Sequence, residues 1–238
     1  MMLRTRYDVV LLLGAPGAGK GTQARVLATA LDVPHVASGD LLREHRSRGT
    51  ALGQAARAYM DRGDLVPDDL VVGIILDRLR QGDAHRGALL DGFPRTLAQA
   101  AVLDERLAEH NGAVRSAVYV EVSLRVLVER LSGRWLCRAC HASYHEVFNP
   151  SAAGDRCAAC GGVLYQRLDD KRHVVENRIH VYLRDTRPAI DHYGALGVLQ
   201  RVDGDRGIEA VRADILAAAA RPPLLYQPTL STAAVVRG

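Results

Sequence analysis

Residues 14–22 read Gly-Ala-Pro-Gly-Ala-Gly-Lys-Gly-Thr and directly follow the apolar run 9–13, Val-Val-Leu-Leu-Leu. A short apolar run that ends at glycine is typical of a buried strand in a parallel sheet. Glycines allow successive backbone N–H groups to converge on phosphate oxygens without Cβ clashes. The residues from Thr22 to Leu31 have the pattern of a helix, whose N-terminus would face the anion. The stretch therefore predicts a phosphate-binding loop between a strand and a helix.

Lys20 lies in this loop and is one of only two lysines, the other being Lys171, in a chain whose lysines and arginines number 31. A compact ammonium suits a phosphate loop better than a planar guanidinium does. We expect Lys20 to reach the transferring phosphates and Thr22 to hold the magnesium shell. The general pattern has Ser or Thr directly after the lysine, whereas Gly21 intervenes here. The alternative is a glycine-rich turn that binds nothing.

The composition is that of a globular protein. The chain has 238 residues, of which 48% are hydrophobic and 24% charged, enough for one large core and a smaller module. A net charge of +4 fits an anionic substrate, but it also fits nucleic acid or no particular partner. No stretch approaches the roughly 18 apolar residues of a membrane span, and the run 9–13 is too short for a signal peptide. We expect a cytoplasmic protein with no membrane partner.

Strand-like and helix-like segments alternate along most of the chain, which predicts an α/β fold with a parallel sheet flanked by helices, of the P-loop NTPase type. Strands are expected at 9–13, 34–37, 87–92, 114–121 and 197–202. Helices are expected at 20–31, 40–48, 51–62, 68–80, 96–110, 123–132, 171–193 and 207–220. The predicted organisation is a core over 1–133 and 172–220, a helical segment at 37–66, a small insert at 134–171 and a disordered, proline-bearing tail at 221–238.

A second loop, Asp91-Gly92-Phe93-Pro94-Arg95-Thr96, follows the strand expected at 87–92. Because the carboxyl ends of parallel strands share one edge of a sheet, this loop should lie beside the phosphate loop. Asp91 is then placed to orient magnesium-bound water, and Arg95 is placed to hold a second phosphate group. An Asp-Gly turn before a helix is common, so the signal becomes specific only together with residues 14–22.

With these motifs the chain resembles the adenylate kinases, in the form with a long lid. The resemblance runs from about Val9 to Asp203, and Gly-Lys-Gly-Thr is that family's own form of the loop. It implies the reaction MgATP + AMP ⇌ 2 ADP, with ATP, AMP and ADP as partners, Mg²⁺ as the cofactor and a monomeric state. The motifs that carry it are the phosphate loop, Ser38–Arg43, Gly63–Pro67, Asp91–Thr96 with Gln99, and Arg167–Asp170 with Arg178.

The resemblance also implies roles for individual positions. It makes 37–66 the AMP-binding segment and 134–171 the lid, both closing over the substrates. Gln99 matches the residue that reads the adenine edge, since a side-chain amide can pair with an adjacent donor and acceptor. The implied ATP contacts are Gly17, Ala18, Gly19, Lys20, Gly21, Thr22, Arg134, Ser143, Tyr144 and Arg206. The implied AMP contacts are Ser38, Arg43, Asp64, Leu65, Val66, Gly92, Phe93, Pro94, Arg95, Gln99, Arg167 and Arg178. The implied catalytic residues are Lys20, Asp91, Arg95, Arg130, Arg167 and Arg178.

All four cysteines fall in the insert, as the pairs Cys137–Cys140 and Cys157–Cys160. Two Cys-x2-Cys turns with this separation suit a structural zinc site of four cysteines, which leaves no open position for water. Two disulfides are a poor alternative in a reducing compartment. His141 and His145 are rival ligands that a complete set of four cysteines would leave without a role. The metal would replace a hydrophobic core in a module too small to have one.

Two other functions remain open. Another nucleoside-monophosphate kinase, acting on UMP, CMP or GMP, would share most of these motifs, although Gln99 and the long lid favour AMP. A zinc-ribbon protein that binds nucleic acid is conceivable because arginines surround the cysteines. It would need aromatic stacking platforms, yet aromatic residues make up 5% of the chain and Trp135 is the only tryptophan. We therefore expect no nucleic-acid partner.

Overall fold

The computed structural model describes residues 8–170 and 172–220, so the predicted tail at 221–238 and Lys171 lie outside the described residues. The strands are β1 Asp8–Gly14, β2 His35–Ala37, β3 Ala88–Asp91, β4 Ala113–Glu121, β5 Arg134–Cys137, β6 Ser143–His145, β7 Leu164–Tyr165 and β8 Leu199–Asp203. The helices are α1 Lys20–Leu31, α2 Ser38–Ser47, α3 Ala51–Arg62, α4 Asp68–Leu79, α5 Leu97–Glu109, α6 Leu124–Ser132, α7 Arg172–Val181, α8 Arg187–Ala195 and α9 Ile208–Ala220. None of these helices is long and apolar enough to cross a membrane.

The core is a five-stranded parallel sheet in the order β2-β3-β1-β4-β8. The middle strand, β1, pairs with β3 on one side and with β4 on the other. Leu11 and Leu12 on β1 are completely buried, as a central strand covered by helices on both faces requires. The predicted α/β fold class is confirmed, and the five core strands lie within a few residues of their predicted positions.

The carboxyl ends of the strands meet at one edge of this sheet. β1 ends at Gly14 and β3 ends at Asp91, which is in register with Leu12 of β1. The loops that follow these two strands are therefore neighbours, as the sequence predicts. In an open parallel sheet this edge is where ligands bind.

The insert forms a second, antiparallel sheet in the order β6-β5-β7. Trp135 pairs with Tyr144, and Leu136 pairs with Tyr165. These strands are only two to four residues long. Such short strands cannot bury a sizeable apolar core, so another source of stability is needed.

The helix expected over 171–193 differs from the prediction in one respect. A π-helical turn, Tyr182–Thr186, separates α7 from α8. The backbone N–H of Arg187 bonds to the carbonyl of Tyr182, five residues earlier. The next residue, Pro188, has no N–H and crowds the preceding turn, which accounts for the change of register. As a consequence Tyr182 points to the sheet, where its hydroxyl donates to that of Tyr119 at 3.0 Å.

Substitution of two glycines by alanine compares a tightly packed position next to β1 with an open position in α4. Gly87 has φ +114°, and a Cβ there would lie 2.0 Å from the backbone oxygen of Asp8. Gly87→Ala should lower the free energy of unfolding by about 2–4 kcal/mol, since the backbone conformation and a rigid neighbour both oppose it. Gly73 lies within α4 with open space around it, so Gly73→Ala should raise that free energy by about 0.5–1 kcal/mol. Urea denaturation of both variants measures the difference, and equal midpoints would contradict this account.

Candidate active site and metal centre

The loop after β1 is shaped by its glycines. Gly17 has φ +87°, and a Cβ there would lie 2.8 Å from Leu131, so this position packs tightly under α6. Gly19 has φ +86° and stands immediately before α1, whose first residue is Lys20. Beside Gly19 and Gly21 a Cβ would meet nothing within 4 Å. The loop is therefore anchored on one side and open at the helix N-terminus, where phosphate oxygens could approach.

Lys20 points back over the loop. Its ammonium donates to the carbonyl of Gly14 at 2.8 Å and to that of Ala15 at 3.0 Å. Burial, with smaller contributions from neighbouring arginines, lowers the pKa of Lys20 to about 8, although the carboxylate of Asp91 raises it. The positive charge of Lys20 is therefore poorly compensated, and an anion would stabilise it.

Five arginines from distant parts of the chain surround this position. Burial and then repulsion by Arg178 and Arg43 lower the pKa of Arg95 to about 10. The pKa of Arg167 also falls to about 10, because of burial first and then because of Arg43 and Arg134. The members are Arg43, Arg95, Arg134, Arg167 and Arg178, and together with Lys20 we call them the cationic cluster.

Three aspartates hold the cationic cluster in place. Asp170, whose side chain is 1% exposed, accepts from Arg134 at 2.5 and 2.8 Å and from Arg178 at 3.1 Å. Asp169 lies 3.3 Å from the guanidinium of Arg178. Asp40 accepts from Arg43 at 2.5 Å. The sequence reasoning assigned none of these aspartates a role, although all lie in the motifs that carry the resemblance.

Positive charge remains in excess at this site. The six cations of the cationic cluster lie near four carboxylates, those of Asp40, Asp91, Asp169 and Asp170. Among the described residues, Arg167 forms an ion pair with Asp40 at a long distance of 3.7 Å. Its buried Nε has no hydrogen-bond partner among the described residues. An unpaired buried donor in a field of positive charge is a position for an anionic oxygen.

The loop after β3 is tied to the start of α2. Ser38 donates from Oγ to the carbonyl of Gly92 at 2.7 Å, and Arg95 donates from Nε to the same carbonyl at 2.7 Å. His35, on β2, contacts Asp91 at 3.2 Å through Nε2. His35 was not predicted, because it precedes the motif Ser38–Arg43 and only the pairing of β2 with β3 brings it to Asp91.

The side chain of Gln99 is held by its neighbours. Its Oε1 accepts from the backbone N–H of Arg95 at 2.7 Å, and its Nε2 donates to Asp68 at 2.7 Å. Thr96 also donates to Asp68, at 2.8 Å, and accepts from the backbone N–H of Gln99. Neither Asp68 nor the Thr96 side chain was predicted as part of a site.

Most of the residues predicted to bind AMP line one cavity beside the cationic cluster. Phe93 is buried beneath it, at 1% exposure, rather than lining it. The apolar lining residues Met60 and Val71 escaped prediction, because scattered apolar residues carry no local signal, and Leu42 was given no role although it lies in the motif Ser38–Arg43. The predicted residues that line the cavity are Ser38, Arg43, Asp64, Leu65, Val66, Gly92, Pro94, Arg95, Gln99 and Arg178.

Four of the predicted residues lie apart from the cationic cluster. Arg130 is half-buried on α6 and forms no ion pair with any residue in 8–170 or 172–220. Arg206 pairs with Asp203 at 3.7 Å and with Asp214, so its side chain is engaged within the core. Ser143 begins β6 in the insert, and the hydroxyl of Tyr144 contacts Cys157. The catalytic role of Arg130 and the ATP contacts of Ser143, Tyr144 and Arg206 stay predictions.

The four cysteines converge in the insert. Their sulfur atoms all lie within 4.8 Å of one another, with separations of 3.4 Å between Cys137 and Cys160 and 3.5 Å between Cys140 and Cys157. These distances are far too long for disulfides. A tetrahedral site with Zn–S bonds of about 2.3 Å would place the sulfurs about 3.8 Å apart, so the set fits a structural metal ion.

Residues next to the four sulfur atoms limit the space around them and connect the insert to the core. A Cβ at Gly162 would lie 2.8 Å from the sulfur of Cys137, so only glycine fits there. His145 is engaged elsewhere, because its Nδ1 accepts from the backbone N–H groups of Val147 and Phe148. The carbonyl of Cys140 accepts from Arg25 of α1 at 2.9 Å, which joins the insert to the core.

Comparison with known proteins gives consistent matches over most of the chain. A family model described as adenylate kinase matches residues 12–198. An adenylate kinase of Methanocella arvoryzae is 51% identical over 208 residues, which are 87% of this chain and 96% of the relative. Those of Desulforamulus reducens and Geobacillus sp. are each 47% identical, over 88% and 87% of this chain and 98% and 95% of the relatives.

The sulfur cluster predicts a zinc content that depends on cysteine and not on histidine. Protein expressed with zinc should carry about one ion per chain, and Cys157→Ser should lose it because a ligand is removed. His141→Ala, which removes the exposed rival ligand, should keep the full content. Mass spectrometry of the native protein measures both. Equal metal loss in the two variants, or a wild-type chain without metal, would contradict the assignment of four cysteine ligands.

Proposed function

Because this chain belongs to the adenylate kinase family, we propose that it transfers a phosphoryl group reversibly between MgATP and AMP to give two ADP. The membership confirms the prediction of an adenylate kinase enzyme from the sequence motifs. The observation that carries the reaction is the cationic cluster, because its members Lys20, Arg43, Arg95 and Arg178 line the same cavity as Ser38 and Gln99. Such a cluster can hold the phosphates of two nucleotides at once.

Catalysis would consist of alignment and charge stabilisation. The backbone N–H groups of 17–22 and Lys20 would hold the β- and γ-phosphates of ATP. Arg95 would hold the phosphate of AMP, and Arg167 and Arg178 would face the phosphoryl group in transit. The AMP phosphate is already an anion, so no general base is required. Donors fixed in a partly buried site act strongly on charge that develops between the two nucleotides.

Oxygen ligands suited to magnesium are available beside the loop. Thr22 has a half-buried hydroxyl at the start of α1, and the carboxylate of Asp91 ends β3 next to Lys20. When bound, Mg²⁺ would neutralise charge on the ATP phosphates. Thr22 and Asp91 are the residues that would hold its coordination shell.

Two parts of the chain would close over the substrates, the AMP-binding segment at 37–66 and the lid at 134–171. Contacts between distant elements support this division. Arg167, at the end of the insert, lies 3.7 Å from Asp40 of α2, and Asn177 of α7 donates to Asp64 at 2.8 Å. Closure would exclude water, which would otherwise hydrolyse ATP. The zinc-bearing sheet would give the lid a fixed shape.

The remaining expectations stay predictions from the sequence. They are that the chain acts as a monomer in the cytoplasm and binds no nucleic acid. Base choice is also a proposal, because a nucleoside-monophosphate kinase for UMP, CMP or GMP could use the same phosphate machinery. The apolar residues Leu65 and Val66, which line the cavity with Gln99, favour a purine, since its larger ring system buries more surface.

The decisive experiment is ADP formation from MgATP with AMP, UMP, CMP and GMP in turn. We expect turnover with AMP to exceed that with each other acceptor by at least about tenfold in kcat/KM, as one mispaired base edge would cost. Preference for another monophosphate would keep the phosphoryl transfer and overturn the base assignment. Absence of turnover with all four would overturn the proposed function, and salt-dependent oligonucleotide binding would then support the nucleic-acid alternative.

The low pKa of Lys20 predicts proton uptake when MgATP binds. Above pH 8 Lys20 is largely neutral, and the triphosphate should raise its pKa and draw a proton from solution. The affinity for MgATP should therefore fall by up to about tenfold per pH unit above 8. Calorimetry at pH 9 in two buffers of different ionisation enthalpy measures the uptake. Lys20→Arg, which stays charged, is the control and should show none from this position; equal uptake in both proteins would contradict the assignment.

A further inference from the structure

The hydrogen bonds around Gln99 allow its side-chain amide one orientation. Oε1 faces the backbone N–H of Arg95, which can only donate, and Nε2 faces the carboxylate of Asp68, which as an anion can only accept. If the amide turned over, an N–H would face an N–H and an oxygen would face a carboxylate. The orientation therefore follows from the chemistry of the two partners.

With these two hydrogen bonds formed, Oε1 of Gln99 can still accept one hydrogen bond and Nε2 can still donate one. Oε1 has two lone pairs, of which the N–H of Arg95 takes one, and Nε2 has two hydrogens, of which Asp68 takes one. Gln99 lines the cavity assigned to the acceptor nucleotide and is 1% exposed. One acceptor and one donor, in fixed order, are thus available to a base in the cavity.

We propose that Asp68 is a positioning residue that fixes the amide of Gln99 and thereby selects adenine over guanine in the acceptor nucleotide. The proposal rests on the proposed function, which places AMP in this cavity. At position 6 adenine has an amino donor and at N1 an acceptor, whereas guanine has an acceptor at position 6 and a donor at N1. An amide held in one orientation matches one order and repels the other.

Asp68 is suited to this task by its second oxygen. While Oδ1 accepts from Gln99, Oδ2 accepts from Thr96 at 2.8 Å, and Thr96 caps α5 by accepting from the N–H of Gln99. Both carboxylate oxygens are therefore required. Asn at position 68 can present either its oxygen or its amide nitrogen to Gln99, because the Thr96 hydroxyl can accept as well as donate. Asp68→Asn therefore removes the acceptor-only partner that helps to fix the orientation of the Gln99 amide.

Asp69 provides a matched control. It is the next residue of α4, lies in the same first turn of the helix and is exposed. Asp69→Asn removes the same charge from the same helix end, so any general effect of charge on α4 appears in both variants. The Gln99 amide donates to Asp68, so the Asp68 variant removes that hydrogen-bond partner and the Asp69 variant does not.

The test is the binding of AMP and of GMP to the full chain by calorimetry. We expect Asp68→Asn to raise the Kd for AMP by about 5- to 30-fold, the loss of one charge-assisted hydrogen bond, and to lower the GMP-to-AMP ratio of Kd values by at least about fivefold. Asp69→Asn should leave both quantities within about twofold of wild type, because Asp69 is exposed and the Gln99 amide is held by Arg95 and Asp68 instead. Equal behaviour of the two variants would overturn the proposal.

A double-mutant cycle separates positioning from support of the fold. In the Gln99→Leu background Asp68→Asn should leave the AMP and GMP affinities unchanged, because the group through which Asp68 acts is gone. A loss of AMP affinity as large as in the wild-type background would assign Asp68 a structural role and overturn the proposal.

Turnover with MgATP, measured on the same proteins, distinguishes this proposal from the proposed function. Failure of wild type to form ADP while it binds AMP would count against the proposed function alone. Normal turnover of wild type with unchanged base selection in Asp68→Asn would count against Asp68 alone. A wild-type chain that binds neither AMP nor GMP would overturn both.

Discussion

The site depends on the hydrogen bonds that the buried carboxylate of Asp170 accepts from two arginines. The carboxylate accepts two N–H groups from Arg134, the first residue of β5, and one from Arg178 on α7. A buried carboxylate is tolerable only when several charged donors surround it, and loss of one partner typically costs about 3–5 kcal/mol. Because Arg134 lies where the insert begins and Asp170 lies where it ends, the same bonds also fix how the insert joins the core.

The carboxylates in this cleft balance only part of its charge. Burial and mutual repulsion lower the pKa of Lys20 to about 8 and those of Arg95 and Arg167 to about 10. The folded chain thus holds like charges together at a cost, and phosphate oxygens would relieve that cost. Under the proposed function, binding energy would in this way be concentrated where charge develops during transfer, which is the part of the substrate that matters for rate.

Local spacing in the sequence was sufficient to predict where the contiguous motifs lie in the fold. The loop at 14–22, the loop at 91–96 and the paired cysteines were predicted from local spacing, and the structure places each at the sheet edge or in the insert as expected. It was insufficient where a contact joins distant residues. The partner of Gln99 is 31 positions away and that of Asp91 is 56 away, and neither pair leaves a periodic trace. The π turn was missed because it depends on how Pro188 meets the preceding helix, which composition alone does not define.

The polar groups that would read the base and those that would hold the phosphates sit on different parts of the molecule. Gln99, Asp68 and Thr96 belong to α5, α4 and the loop that joins β3 to α5, and their bonds to one another do not involve the insert. Arg134 and Arg167 belong to the insert, so their distance to a phosphate changes if the insert moves. Under the proposed function, the hydrogen bonds that select the base therefore do not depend on the position of the insert, whereas alignment of the phosphates does. This independence would allow a wrong nucleotide to dissociate before the arginines of the insert reach the phosphates.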